Sequence, residues 1–98
     1  MLEQVEELVF ETLREFGANE NITGLDNPTV ETFLYGDGGV LDSLALVSLI
    51  SDLEMKLEER FGVQLTLADE RAMSRKQSPF RTAGALAEFV REALVSYS

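Results

Sequence analysis

A chain of 98 residues makes one small domain with a single core, too short for a substrate domain beside a cofactor domain. With 8 Lys plus Arg against 18 Asp plus Glu, its formal charge of −10 repels nucleic-acid phosphates and anionic membranes and attracts basic protein surfaces. It has no cysteine and no histidine, which removes disulfides, thiolate nucleophiles, the usual zinc sites and the commonest general base.

The acids are unevenly spread. Residues 1–70 hold 16 acids and 3 bases, whereas Arg71, Arg75, Lys76 and Arg81 form a small basic cluster, read as ordinary solvated surface. No basic segment followed by an apolar stretch opens the chain, and no uninterrupted apolar run approaches membrane-spanning length. A cytoplasmic protein with neither nucleic acid nor membrane as partner is expected, as a monomer.

Over residues 2–16, Leu2, Val5, Leu8, Val9, Leu13 and Phe16 recur at steps of three and four, with glutamates on the other side. This predicts a first amphipathic helix, stopped at Gly17 with Asn19 and Asn21 just beyond. Residues 17–42 are long for a connection. Ile22, Leu25, Val30, Phe33, Leu34, Val40 and Leu41 give it the apolar weight to lie over the core, and Asn27-Pro28 predicts a short helix near 28–34.

The second helix is predicted over 43–61, roughly 28 Å long at 1.5 Å per residue. Leu46, Leu49, Ile50, Leu53, Leu57 and Phe61 form its inward stripe, and Asp52, Glu54, Glu58 and Glu59 face water or a partner. Leu44 and Val47 lie off that stripe, either as exposed contacts or as cover for the end of the core; the pattern leaves both open. Gly62 closes this helix, and residues 63–65 make a short apolar crossing. Thr66 and Asp69 form a capping pair for a short third helix over 67–73. Thr82 caps a last helix over 83–97, with Leu86, Phe89, Val90, Ala93 and Leu94 at helical spacing. The expected fold is all-α: a small antiparallel four-helix bundle of three main helices and a short third one, with a long first loop.

The chemistry-bearing stretch is Gly38-Gly39-Val40-Leu41-Asp42-Ser43-Leu44. Two glycines end the long connection, and Asp42 and Ser43 supply a helix start, so a serine hydroxyl is held out at a helix N-terminus. As a mere cap, Ser43 would be worth about 0.5–2 kcal/mol.

Leu41-Asp42-Ser43-Leu44, preceded by glycine and followed by an amphipathic helix, resembles the attachment motif of acyl carrier proteins. Phe61-Gly62-Val63 and Thr82-Ala83-Gly84-Ala85-Leu86 resemble that family's end of helix two and start of helix four. The resemblance spans nearly the whole chain. It implies that Ser43 receives a 4'-phosphopantetheine arm from coenzyme A, with Asp42 and Leu44 beside it. It implies an acyl group carried as a thioester, loaded after a phosphopantetheinyl transferase has acted. Acyl-loading and acyl-using enzymes with basic faces would dock on helix two around Val47, Asp52, Glu54 and Glu58.

Two departures point away from housekeeping fatty-acid synthesis: Ala45 and Ser48 are neutral where such carriers are often acidic, and helix two is about one turn longer. A specialised carrier for lipid or polyketide biosynthesis, or for another dedicated pathway, is therefore expected. The nearest alternative is a stand-alone aminoacyl or peptidyl carrier with the same serine and arm. A different class is an unmodified helical adaptor, in which Ser43 is only a cap and Leu44 and Val47 bind a partner helix. A calcium loop at Asp37-Gly38-Gly39 fails because Gly39 and Leu41 stand where oxygen donors belong. An enzyme is not expected, since no nucleophile and base pair can be assembled.

Overall fold

The computed structural model describes residues 2–36, 38–67 and 80–97. Among them lie three helices, α1 (Leu2–Glu20), α2 (Ser43–Phe61) and α3 (Ala83–Tyr97), and no strand, so the fold is all-α. α1 packs against both of the others. The expected short helix over 67–73, the capping pair at Thr66 and Asp69, and the basic cluster apart from Arg81 fall wholly or largely outside the described residues. Three helices and not four are therefore what the described chain contains. None of them is long and apolar enough to cross a membrane.

The apolar periodicity of α1 puts Val5, Leu8, Val9, Leu13 and Phe16 in the core. Thr12 is buried with them, and its Oγ1 donates to the Leu8 carbonyl at 2.7 Å, so the hydroxyl carries no unmet desolvation cost.

The stop expected at Gly17 comes three residues later. Asn21 takes the left-handed conformation, φ 55°, and the Ile22 N–H donates back to the Gly17 carbonyl at 2.8 Å, closing the helix with an αL residue other than glycine. Gly17 serves instead as a contact point, because a Cβ there would stand 2.8 Å from Leu25 Cβ. The connection can thus fold back tightly onto α1, and Leu25 is fully buried.

The helix expected near 28–34 is absent. Residues 29–32 form a turn, with the Thr32 N–H donating to the Thr29 carbonyl at 3.1 Å and the Thr29 N–H to Thr32 Oγ1 at 2.8 Å. Beyond it Phe33 bridges antiparallel to Thr82, and Tyr35 parallel to Leu41. The reason lies at the start of α3, whose first N–H groups have no helical partner. Ala83 donates to the Thr32 carbonyl and Gly84 to the Val30 carbonyl, both at 2.9 Å. A helix over 28–34 would turn those carbonyls inward, so the tertiary contact overrides the Asn27-Pro28 signal. Thr82 caps α3 as expected, its Oγ1 accepting from the Ala85 N–H at 3.0 Å. Phe80 and Phe89 pack edge to face with centroids 5.8 Å apart.

Gly62 ends α2 in the left-handed region, φ 69°, its N–H donating to the Glu58 carbonyl at 2.9 Å. Two glutamates of α2 then hold residues 62–67 against the bundle. Glu54 Oε2 accepts from the Leu67 N–H at 2.7 Å, and Glu58 Oε1 from Gln64 Nε2 at 3.1 Å. Leu67 itself is buried. Glu54→Ala leaves a part-buried N–H without its acceptor and is expected to lower stability by about 1–3 kcal/mol, with faster amide exchange at Leu67. Glu54→Gln keeps an acceptor oxygen and should recover most of the loss in urea unfolding.

Candidate functional site

The N-terminus of α2 is built by the end of the long connection. Gly36 and Gly38 have positive φ, 98° and 81°, and the Gly39 N–H donates to the Gly36 carbonyl at 2.9 Å. The Leu41 N–H then donates to the Leu34 carbonyl at 2.8 Å, which seats Leu41 in the core and fixes where the helix begins.

Asp42 alone is the cap. Its φ of −87° and ψ of 178° are extended, Oδ1 accepts from the Ala45 N–H at 2.7 Å, and its carbonyl accepts from the Leu46 N–H at 2.9 Å. Ser43 is therefore the first helical residue and not a cap. Its side chain is exposed, and among the described residues its hydroxyl has no hydrogen-bond partner. The same holds for the N–H groups of Ser43 and Leu44. An alcohol oxygen thus projects into solvent beside two unpaired amide donors at the positive end of a 19-residue helix, a setting that favours a bound negative charge.

Removing the cap is a separate matter from removing the alcohol. Asp42→Ala should cost about 0.5–2 kcal/mol in urea unfolding, whereas Asp42→Asn, which caps as well, should retain most of that. Asp42, expected to supply the helix start together with Ser43, does so by itself, its carboxylate engaged in holding the first turn.

The two readings left open for Leu44 and Val47 are decided by exposure. Leu44 is 77% and Val47 50% accessible, so neither covers the core, and Met55 continues the exposed apolar side at 62%. The four acids expected to face a partner divide. Asp52 and Glu59 are exposed on the side of α2 towards α1. Glu54 and Glu58 lie on the other flank and are engaged with residues 62–67.

A feature that the sequence reading passed over is the cleft between α1 and α2. Its upper part, about 300 Å³, opens beside Asp42 and Leu44 and is bounded by Phe16, Ile22 and Ser48. Its lower part, about 290 Å³, shares Phe16 and continues past Asn19, Asp52 and Met55 to Lys56. Ion pairs Lys56–Glu15 and Arg60–Glu11, the latter at 3.2 Å, cross between the antiparallel helices below. The signal was available: two bases four apart on α2 and two acids four apart on α1. On exposed helices such pairs add little stability, so they set register more than they hold the bundle together. At the opposite end, the Arg81 guanidinium lies 5.9 Å from the centroid of the half-exposed Phe33 ring.

Comparison with known proteins finds no matching family model, no matching curated protein and no matching solved structure.

Proposed function

We propose that this protein is an acyl carrier, modified on Ser43 with 4'-phosphopantetheine and serving a specialised biosynthetic pathway through partner enzymes. The observation that carries the reading is that Asp42 caps α2 and Ser43 does not, so the serine hydroxyl is left exposed and, among the described residues, unpaired. In the rival adaptor reading Ser43 stays unmodified and the exposed Leu44 and Val47 bind a partner helix, so the two readings part on whether Ser43 is modified.

The donor set fits the group. A phosphodiester on Ser43 Oγ would lie against the unpaired N–H groups of Ser43 and Leu44, with the helix macrodipole contributing about 0.3–1 kcal/mol. The bound arm supplies a terminal thiol, which this cysteine-free chain lacks, for thioester formation. In modification, Ser43 Oγ forms the new bond to phosphorus as the diphosphate P–O bond of coenzyme A breaks and the nucleotide leaves. The transferase takes the hydroxyl proton, since among the described residues no titratable base is bonded to Ser43. Asp42 holds the approach by fixing the first turn, and exposed Leu44 and Val47 offer apolar contact to the partner.

Neutral Ala45 and Ser48 beside the serine, with Asp52 as the first acid within α2, support a dedicated set of partners. Those partners would rely more on apolar contact near Ser43 and on basic groups only further along the helix. The test is incubation with coenzyme A and a broad phosphopantetheinyl transferase, followed by mass spectrometry. A single added phosphopantetheine is expected. An unchanged mass on folded protein, with a control carrier loaded in parallel, would favour the adaptor.

A further inference from the structure

The carrier reading leaves undecided where the arm goes once attached, and the two flanks of α2 are not equivalent. On one flank Glu54 and Glu58 fasten residues 62–67 to the helix. The other flank is the cleft against α1, which begins at Asp42 and Leu44, the two neighbours of Ser43. The two pockets of this flank meet at Phe16, which lines both, and follow one another along the α1-facing side of α2, from Ser48 to Asp52.

Resting on the carrier reading, we propose that the cleft between α1 and α2 is a resting site for the pantetheine arm, which lies along it with its thiol near Asn19 and Met55. Length supports this. From serine oxygen to sulfur the arm has about fourteen bonds, equivalent to between about four and five extended residues, so it spans roughly 16 Å. Along α2 the rise from Ser43 to Met55 is roughly 18 Å, and helical side chains tilt towards the N-terminus, which shortens the reach.

Chemistry supports it too. The arm carries two amides, a hydroxyl and a geminal dimethyl group, and buries well only where both kinds of partner occur. The wall supplies the Asn19 amide, the Ser48 hydroxyl and the Asp52 carboxylate for the polar groups. Phe16, Ile22 and Leu44 stand beside the opening where the dimethyl carbon would pass. The Lys56–Glu15 ion pair closes the far end. An arm lying there is shielded without entering the apolar core, where its amides would lack partners.

The absence of cysteine makes a direct test possible, because the arm then bears the sole thiol. Asn19→Cys and Met55→Cys place a second thiol in the cleft. Ser51→Cys places one outside the cleft lining and, at roughly 12 Å of helix rise, nearer to Ser43 than Met55 is, so an arm swinging freely would favour it. Each variant is loaded, checked for native helicity, and treated with oxidised glutathione at low protein concentration, and internal disulfide formation is followed by non-reducing mass spectrometry. An arm held in the cleft raises the local thiol concentration there, so both cleft variants are expected to close at least about tenfold faster than Ser51→Cys. A cleft variant that closes no faster than Ser51→Cys overturns the resting site while leaving the carrier reading intact. Failure of the unsubstituted protein to gain the arm at all overturns both.

Discussion

Ser43→Ala is expected to abolish attachment completely while leaving stability nearly unchanged. The two halves of that result come from different atoms. Attachment needs the Oγ, and alanine has none. Stability at this helix start depends on Asp42 Oδ1 at 2.7 Å from the Ala45 N–H and on the Asp42 carbonyl bonded to Leu46, neither of which involves the serine side chain. Because Ser43 is exposed and in helical conformation, replacement by the better helix former should fall within about 0.5 kcal/mol of the original protein. Read from sequence alone, the same substitution carried a cap penalty of about 0.5–2 kcal/mol. Urea unfolding and mass spectrometry on the same samples separate the two. A variant that still gains the arm would place the attachment elsewhere, and one that unfolds much earlier would mean that the hydroxyl supports the helix after all.

Gly39→Ala should have the opposite signature, a large loss of stability with attachment impaired as a consequence. A Cβ on Gly39 would stand 2.6 Å from the Leu34 carbonyl oxygen, 2.7 Å from its carbon and 2.8 Å from the Tyr35 nitrogen. All three are backbone atoms and cannot swing aside as a side-chain end could. Leu34 is fully buried, its N–H donates to the Arg81 carbonyl at 2.7 Å, and its own carbonyl holds Leu41. Relief of the clash must therefore disturb the start of α2, the approach to α3, or both. A cost of roughly 1–3 kcal/mol is expected, the usual range for forcing extra volume into a packed site. The rate of attachment to Ser43 should fall with it, since Leu41 and Asp42 set the serine's position. Unfolding and loading both unchanged in Gly39→Ala would show that the connection is loose there.

These two substitutions mark where pattern reading succeeds and where it stops. The stripe Leu46, Leu49, Ile50, Leu53 and Leu57 and the bounds of α2 were legible because helical periodicity and a glycine stop are local properties of the chain. The Thr82 cap and the start of α3 were legible for the same reason. The end of α1 was misplaced because Gly17 carries a packing role towards Leu25 that only the folded connection creates. The expected helix near 28–34 failed because Val30 and Thr32 give their carbonyls to α3, a partner some fifty residues away in the chain. Glu54 and Glu58 look like surface acids on a helix wheel, yet they bind residues 62–67. Local sequence contains nothing that assigns them to it.

By itself the sequence determined the helical character of the chain, its acidity, the absence of any thiol of its own, and a serine set after a glycine-ended connection at the start of its second helix. Each follows from composition or from spacing within a few residues. Only the tertiary structure decided that Asp42 caps and Ser43 stays unpaired, that Leu44 and Val47 face solvent, and that one flank of α2 is fastened while the other opens as a cleft. The physical reason is common to all three. Backbone donors, carboxylates and apolar faces can be satisfied by several partners, and which one is taken depends on what the rest of the chain brings within reach.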